Sequence, residues 1–478
     1  MEVARFRVLS DEDLSRIHKA SLDILSEVGV SIHSDKVLRL LADYDARVDF
    51  REKTAKIPGS LIEECISSAP AKITLCNRDK QAVFTLGDGK TRAACGHNAT
   101  FIRDSETETE RKVTKKDVAD FVKIADALGN IDIVGIPAMP QDVLPKASLV
   151  HAVGAAFNNT TKHIYFSPEG RETKVIYDIA KVITGDENLA SQPIITCQLS
   201  PTSPLGWEKR VAEALMETAS EGVPCCILPD PYSGVSSPIT LAGELVIINA
   251  EFLSGLVIAQ LAKKGAPLIH GVCCTTFDMR QGNVATGSPE SCLLRIGEVQ
   301  LGQFYHLPSH SIAFDSDSPC LDEQNAWERT LSTLAALNSG ADVIIDAGMY
   351  NAGMVISVEQ LVMDDELLGM LRRFRQGIEV SPETLAVDLI KKVGPRGSFL
   401  QEEHTLRYLR TSEHWEPEIS IRSSYQLWKQ KGGLSIVDKA RQRVKTILQS
   451  HHPQELPSDI QAEIRKIVES FERSAEED

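Results

Sequence analysis

The chain has 478 residues, of which 42% are hydrophobic and 25% charged, and a formal net charge of −16 at pH 7. This composition is typical of a globular protein, and the acidic balance argues against nucleic-acid binding, which needs a basic face. The length exceeds the roughly 250 residues of a bare α/β barrel, so a protein of that class would carry extensions.

The first hundred residues predict an α+β extension, which we place at residues 1–112. Ser10-Asp-Glu-Asp13 has the form of a helix N-cap, and apolar residues at helical spacing continue to Gly29. Two more helices are expected at 35–41 and 60–67. Four short apolar runs are interpreted as the strands of an antiparallel meander: 73–76, 82–86, 91–94 and 100–103.

Eight short runs rich in β-branched residues follow: 131–137, 162–166, 193–197, 224–228, 267–272, 309–313, 342–346 and 354–358. The first four begin about 31 residues apart, and segments of helical periodicity fill most of the gaps. This spacing is typical of repeated βα units. The predicted fold class is therefore α/β, a (β/α)₈ TIM-type barrel over residues 113–365 with an N-terminal α+β extension and C-terminal helices over 366–478.

The sequence favours a cytoplasmic location and no membrane contact. Its first residues have no apolar core of the secretory type, and the ten cysteines fall mostly inside strand-like or helical runs, as reduced core residues do. The apolar stretch 245–261 contains Asn249, Glu251 and Gln260, so we interpret it as a buried barrel helix.

Barrel chemistry takes place at the carboxyl ends of the strands. The aromatic residues Tyr232, Phe314 and Tyr350 fall there and could form a cage, since aromatic faces attract a quaternary ammonium ion. Asp315, Asp317 and Asp346 also fall there, as does Asp230. These acids favour a cationic ligand, although Asp after a barrel strand is often a helix cap.

Two other clusters leave alternatives open. His97 and Asn98 follow a Gly in the predicted meander, so they could close over the barrel mouth or form an exposed turn. His270, Cys273 and Cys274 could hold zinc, although strand alternation would send neighbouring side chains to opposite faces. Paired carboxylates also occur in glycosidases, whose carbohydrate sites favour exposed Trp, and only four Trp are present.

Many short segments in the right order resemble the trimethylamine:corrinoid methyltransferase superfamily. They include Thr240-Leu-Ala-Gly-Glu-Leu, Asn249-Ala-Glu-Phe-Leu-Ser-Gly255, Gly287-Ser-Pro-Glu290, Asp315-Ser-Asp-Ser and Glu413-His414-Trp415-Glu-Pro417. The resemblance covers nearly the whole chain and implies a (β/α)₈ barrel. The archaeal trimethylamine enzymes carry pyrrolysine, whereas this chain has an ordinary residue at the matching position, at or near Phe314. That departure favours the non-pyrrolysine branch, which resembles glycine betaine:corrinoid methyltransferase.

The resemblance implies a methyltransferase that moves a methyl group from a quaternary amine, first of all glycine betaine, to Co(I) of a corrinoid (cobalamin), leaving dimethylglycine. The corrinoid is expected on a separate partner protein, with none bound permanently, and a homo-oligomer is compatible with the sequence. No catalytic side chain is then required and no metal ligand is expected. The alternatives are a zinc-dependent barrel enzyme (a thiol methyltransferase or a hydrolase) and a non-catalytic quaternary-amine binder.

The substrate-binding residues expected for the methyltransferase are nine. They are His97, Asn98, Tyr232, His270, Phe314, Asp315, Asp317, Asp346 and Tyr350.

Overall fold

Eight parallel strands close into a barrel in the computed structural model, which describes residues 5–185, 188–273, 275–411 and 413–477. The strands are β1 (Arg92–Cys95), β2 (Ile133–Gly135), β3 (His163–Phe166), β4 (Ile195–Leu199), β5 (Cys225–Ile227), β6 (Leu268–His270), β7 (His310–Ile312) and β8 (Val343–Ala347). Their order around the sheet is β6-β5-β4-β3-β2-β1-β8-β7. A parallel bridge between His270 and Ser309 joins β6 to β7 and closes the circle.

A helix follows every strand, as the βα repeat requires. These helices are α1 (Lys115–Ala127), α2 (Ser148–Asn159), α3 (Thr173–Thr184), α4 (Lys209–Glu221), α5 (Leu241–Ala262), α6 (Pro289–Phe304), α7 (Glu323–Ser339) and α8 (Val358–Arg375). A short 3₁₀ helix, Pro145–Ala147, precedes α2. The strands are covered on both faces, so nearly all of their residues are buried and most are apolar.

Seven of the eight predicted barrel strands are confirmed, and the eighth is wrong. Residues 354–358 contribute only the two-residue strand Val355–Ile356, which lies in a separate sheet outside the barrel. The missing strand is β1, which the sequence pattern had assigned to an antiparallel meander. Its Arg-Ala-Ala-Cys sequence has no β-branched residue, whereas the run at 354–358 has three. Residue propensity therefore favoured the wrong segment.

The amino-terminal helices are confirmed as Asp11–Glu27, Asp35–Ala42 and Gly59–Ser68. A reciprocal capping box between Ser10 and Asp13 begins the first of them. The strands Ile73–Cys76 and Ala82–Leu86 form an antiparallel hairpin. Leu75 and Leu86 of this hairpin pack with interior barrel residues such as Ile312, so the hairpin closes the amino-terminal end of the barrel.

The remaining short strands form three small sheets. One contains Val30–Ile32, Arg47–Asp49, Thr54–Lys56 and Gly206–Trp207. A second contains Phe101–Arg103, Glu110–Lys112, Met349–Tyr350 and Val355–Ile356. The third is the hairpin of Thr276–Asp278 and Asn283–Ala285. The second sheet joins the segments that follow β1 and β8.

Beyond α8 the chain is helical, as expected. Four short helices contain no buried residue: Pro382–Leu385, Val387–Val393, Glu403–Leu409 and Tyr425–Gln430. Two longer ones, Ile436–Ser450 and Ser458–Glu477, pack back onto the helices of the barrel. The division into domains at 112 and 365 stays a prediction, although β1 lies before the first of these boundaries.

The apolar stretch at 245–261 belongs to α5, as predicted. This helix, Leu241–Ala262, is long and apolar enough to cross a membrane, but 78% of its most apolar window is buried within the protein. It is therefore a core helix of the barrel wall. The cysteines of the described residues are free, and most are buried.

Candidate active site at the barrel mouth

Polar side chains from five strands converge at the carboxyl end of the barrel. His97 follows β1, Gln198 lies in β4, Asp230 follows β5, Asp315 follows β7 and Asp346 lies in β8. Parallel strands bring these positions to one rim, although they are far apart in the sequence. The convergence concentrates carboxyl groups around a single imidazole.

His97 and Asp346 form the central ion pair of this mouth. His97 Nδ1 lies 3.0 Å from Asp346 Oδ1, and both side chains are largely buried. Burial alone would lower the pKa of His97, but the charge and hydrogen bond of Asp346, together with the charges of Asp230 and Asp315, raise that pKa above its ordinary value. The pair therefore favours an imidazolium beside a carboxylate.

Gln198 continues the polar network into the barrel. The Tyr165 hydroxyl donates to Gln198 Oε1 at 2.8 Å, which turns the amide nitrogen toward the mouth. Gln198 Nε2 lies 3.4 Å from His97 Nε2 and 3.3 Å from the Ser167 hydroxyl. Both contacts are long, so this N–H₂ group is well placed to donate to a bound molecule.

The other two acids are buried enough to titrate near neutrality. Burial raises the pKa of Asp230 to about 6, although the nearby Cys273 thiol and the charges of His97 and Arg295 oppose it. Burial likewise raises the pKa of Asp315 to about 6 against the charge of Arg295, whose Nη2 lies 2.7 Å from Asp315 Oδ2. Above that pH both Asp230 and Asp315 are negatively charged.

Asp230 Oδ1 and Asn98 Oδ1, at the mouth, are buried without a hydrogen-bond donor or an ion pair from the described residues. Asn98 has a left-handed backbone, with φ +57°, and its Nδ2 donates to the Ser167 carbonyl at 3.1 Å. Asn is one of the few residue types that adopt this conformation readily. Buried unpaired acceptors are costly, and both of these atoms are free to contact a bound molecule.

A buried ion pair holds the loops after β7 and β8 in strained conformations. Arg329 donates to the Phe314 carbonyl and lies 3.0 Å from Asp364, which in turn accepts the Gly348 N–H at 2.7 Å. Phe314 and Asp346 have φ values of +54° and +87°, which are unfavourable for residues with a side chain. The Arg329–Asp364 pair thus fixes the loop that carries Asp315 and the end of β8, which carries Asp346.

Two predicted residues lie at the edge of this cluster. Asp317 accepts hydrogen bonds from the Thr286 N–H at 2.7 Å and the Gly287 N–H at 3.1 Å, so it fastens the loop before α6. Tyr232 is half-buried, and the charge of Asp230, followed by burial, raises its pKa to about 12. It is the one predicted cage residue that the structure brings to the acids.

His270 is not brought to the mouth, which corrects the expectation for this residue. Its ring lies 3.9 Å from that of Phe252, centroid to centroid, and its Nδ1 is 3.4 Å from Glu298 Oε1. Burial lowers its pKa to about 3. Because Ile269 faces the barrel interior, strand alternation turns His270 outward against α5 and α6.

The same orientation argues against the alternative of a zinc site at His270 and the neighbouring cysteines. Cys273 lies among Asp230, Asp346 and Asp315, whose charges raise its pKa further after burial, whereas His270 packs behind the strand. Cys274 lies outside the described residues. Within the ranges that are described, no three His, Cys, Asp or Glu side chains are grouped closely enough to hold a metal ion.

Phe314 and Tyr350 present no accessible ring face. The prediction that they form an aromatic cage with Tyr232 is therefore wrong. Phe314 is fully buried in the hydrophobic core outside the barrel interior. Its left-handed backbone breaks the alternation that would have placed its ring at the rim. Tyr350 is buried in the sheet outside the barrel, where burial and Glu110 raise its pKa to about 12.

Sequence reasoning missed Gln198 and Arg295. Each left a signal, because a polar or charged residue inside an apolar run needs a buried partner. Gln198 stands in Thr-Cys-Gln-Leu within a strand, and Arg295 stands in Leu-Leu-Arg-Ile on the buried face of α6.

Comparison with known proteins gives a consistent picture. A family model described as trimethylamine methyltransferase (MTTB) matches residues 1–476. The trimethylamine methyltransferase MttB of Desulfitobacterium hafniense (strain DSM 10664 / DCB-2) is 36% identical over 97% of this chain and 93% of its own length. The glycine betaine methyltransferase of D. hafniense (strain Y51) is 30% identical over 97% of each chain.

The solved structures support the fold. The monomethylamine methyltransferase MtmB of Methanosarcina barkeri superposes with a TM-score of 0.53, covering 92% of this chain and 88% of its own. The sequences are 15% identical in this alignment, so the likeness concerns the fold alone.

Proposed function

This chain belongs to the trimethylamine methyltransferase (MTTB) family and is a methyltransferase, and from this premise we propose its substrate. The donor is a quaternary amine, with glycine betaine as the first candidate, and the acceptor is the corrinoid of a separate protein. The demethylated product of glycine betaine is dimethylglycine. The relative that is named a glycine betaine methyltransferase supports this choice.

The convergence of Asp230, Asp315 and Asp346 on the barrel mouth is the observation that carries the proposal. The three carboxyl groups have His97 and Arg295 as cationic neighbours, and the third nearby cation, Arg329, is already paired with Asp364 at 3.0 Å. Such a site attracts a cation. Partial burial strengthens the attraction because the effective dielectric constant is lower inside the protein than in water.

A quaternary ammonium ion suits this mouth although it has no N–H to donate. Its positive charge is spread over its methyl groups, whose C–H bonds can approach carboxylate and amide oxygens. The unpaired acceptors Asp230 Oδ1 and Asn98 Oδ1 are available for such contacts. The half-buried ring of Tyr232 adds a face of the kind that binds ammonium ions.

The carboxylate of a betaine needs donors as well, since burying it unpaired is costly. Gln198 Nε2 and the Nε2 of protonated His97 lie 3.4 Å apart and can donate to one carboxylate between them. With Asp346 holding Nδ1, the imidazole offers only its Nε2–H to the ligand. In this role His97 and Gln198 bind the end of the substrate that does not react.

Methyl transfer then requires alignment more than acid–base chemistry. The corrinoid, when its carrier protein is docked, supplies the nucleophile. This chain holds the C–N bond of the donor so that the methyl group faces the open end of the barrel. Holding the donor in this orientation lowers the entropic cost of bringing the two reactants together. The amine leaves as a neutral molecule, so no side chain has to protonate it during bond cleavage.

The test combines the protein with its cognate corrinoid protein in the Co(I) state and a panel of methylated amines. We expect the corrinoid absorbance to change when glycine betaine is added. NMR should show one dimethylglycine formed for each corrinoid that is methylated. Monomethylamine, dimethylamine and trimethylamine are the comparison substrates. Turnover of trimethylamine without turnover of any betaine would overturn the proposed substrate class.

An Asp230→Asn variant tests whether this carboxylate binds the cation. The amide keeps the shape of the side chain but removes its charge, so KM for the quaternary amine should rise roughly tenfold if the carboxylate binds the cation. An unchanged KM would remove Asp230 from the binding site.

A further inference from the structure

A basic cavity of about 820 Å³ lies at the opposite end of the barrel from the mouth. It is bounded by the last turns of α8, by Asn130 just before β2 and by the segment around Trp415. Its lining includes four arginines, Arg372, Arg373, Arg410 and Arg422, together with His414. Such a concentration of positive charge is unexpected in a chain of net charge −16.

The four guanidinium groups differ in how far their charge is neutralised. Arg372 is paired with Asp132 at 2.6 Å. Arg373 donates to the carbonyls of Glu413 and Gly377, and its nearest carboxylate oxygen is 3.9 Å away. The charge of Arg373 is therefore only weakly compensated.

Arg422 and Arg410 have no carboxylate partner within the described ranges. Arg422 donates to the Trp415 carbonyl at 2.8 Å and stacks over the Trp415 ring at 5.2 Å. The exposed guanidinium of Arg410 makes no hydrogen bond or ion pair with the rest of the described chain. Glu416 is the one acidic residue in the lining, so positive charge is in excess.

We propose that this cavity is a binding site for a small polyanion that carries phosphate groups. Guanidinium groups bind phosphate oxygens through pairs of parallel hydrogen bonds, and several such groups around one cavity favour a ligand with more than one anionic centre. The volume lies in the range of ordinary small-molecule sites. The stacked Arg422 and Trp415 form a prearranged wall.

The site is separate from the mouth described above. Arg375, in the same last turn of α8, donates to Thr91 directly before β1, which places the cavity at the amino-terminal ends of the strands. A ligand bound there cannot contact His97 or the acids at the carboxyl ends. Binding should therefore not compete with the methyl donor.

The experiment is a calorimetric titration of the full chain with inorganic tripolyphosphate at low salt. We expect saturable binding that weakens as the salt concentration rises, because charge pairs are screened. In the double variant Arg410→Gln/Arg422→Gln the affinity should fall roughly ten- to a hundredfold, the effect of losing one or two charge-assisted contacts. Both side chains are exposed, so the fold should be retained.

The matched control is Arg47→Gln/Arg51→Gln, which removes two exposed arginines, one from the strand Arg47–Asp49 near the amino terminus and one from the turn that follows it. It changes the net charge by the same amount and should leave the affinity within about twofold of the wild type. Quenching of Trp415 fluorescence, identified by its loss in Trp415→Phe, gives a second signal local to the cavity. Absence of saturable binding, or equal weakening in the two double variants, would overturn the proposal.

Discussion

The imidazole of His97 is the most sensitive single group at the barrel mouth. Its pKa reflects a balance, because burial disfavours the imidazolium while Asp346 at 3.0 Å favours it. The balance can be shifted by one substitution that preserves the backbone. Asn adopts the left-handed conformation of position 346 more readily than most residues.

We therefore expect Asp346→Asn to lower the pKa of His97. Loss of the carboxylate removes both its charge and its charge-assisted hydrogen bond, so burial then dominates. The measurement is an NMR titration of the imidazole C–H signals, with the signal of His97 identified by its absence in His97→Gln. Asp317→Asn is the control, since Asp317 contacts Thr286 and Gly287 and not the imidazole. An unchanged His97 pKa in Asp346→Asn would contradict the assignment.

The buried acids predict a pH dependence of substrate binding. Burial raises the pKa of Asp230 and of Asp315 to about 6 in each case. Both groups are charged above that pH and neutral below it, so attraction for a cation is present above pH 6 and is lost as the pH falls through it. KM for a quaternary amine should be nearly constant above about pH 7 and rise by up to about tenfold per pH unit below 6 for each titrating group.

Initial rates across pH 5 to 8 check this expectation. The Asp230→Asn variant should begin from a higher KM and show a shallower rise at low pH, because one titrating group is gone. A KM that improves on acidification would show that the carboxylates do not bind the cation.

Among the structural elements, the hairpin of Ile73–Cys76 and Ala82–Leu86 has a role that its position in the chain does not reveal. It fills the amino-terminal end of the barrel, where Cys76 N–H donates to the Pro193 carbonyl at 2.9 Å and Gly87 N–H to Asp342 at 2.6 Å. Leu75 is fully enclosed there. The hairpin therefore packs directly against the interior of the barrel.

Leu75→Ala should lower the free energy of unfolding by about 2–5 kcal/mol, the cost of a cavity at a buried leucine. Val83→Ala in the opposite strand is the matched control, because Val83 is 46% exposed. It should change stability by less than about 0.5 kcal/mol. Urea unfolding followed by circular dichroism measures both, and equal effects would show that the hairpin does not close the barrel.

Element prediction succeeded where hydrophobic spacing was enough and failed where it was not. Strands such as His163–Phe166 and Cys225–Ile227 are buried on both faces, so their apolar runs were visible in the sequence. Arg92–Cys95 was misassigned because small residues fill its place in the sheet. Residues 354–358 have the β-branched composition of a barrel strand but pair outside the barrel.

At the scale of the whole molecule, the carboxyl-terminal helix Ser458–Glu477 covers the outer face of α2. Ile464, Val468 and Phe471 are buried, and the first two lie against Gly154 of α2. Glu472 pairs with His151 of the same helix at 3.2 Å. Helix α2 is apolar around nearly its whole circumference, so it needs this cover.

Deletion of residues 458–478 should therefore lower the unfolding midpoint in urea and promote aggregation. Each buried apolar side chain that is lost contributes about 1.5–3 kcal/mol, and exposed apolar patches associate. Deletion of residues 476–478 alone is the control and should leave the midpoint unchanged, since Val468 and Phe471 remain. An unaltered midpoint after the longer deletion would mean that the helix is not needed to cover α2.

The sequence by itself determined the α/β barrel, most of its strands and helices, and the position of acids and of His97 at strand ends, because apolar periodicity and turn chemistry are local properties. Only the tertiary structure decided which of those side chains meet. It turned His270 outward through strand alternation, buried Phe314 through a left-handed residue held by Arg329, and brought Gln198 and Arg295 to the mouth from 101 and 198 residues beyond His97. Side-chain direction at the end of a strand depends on closure of the sheet and on distant partners, and neither is encoded in local spacing.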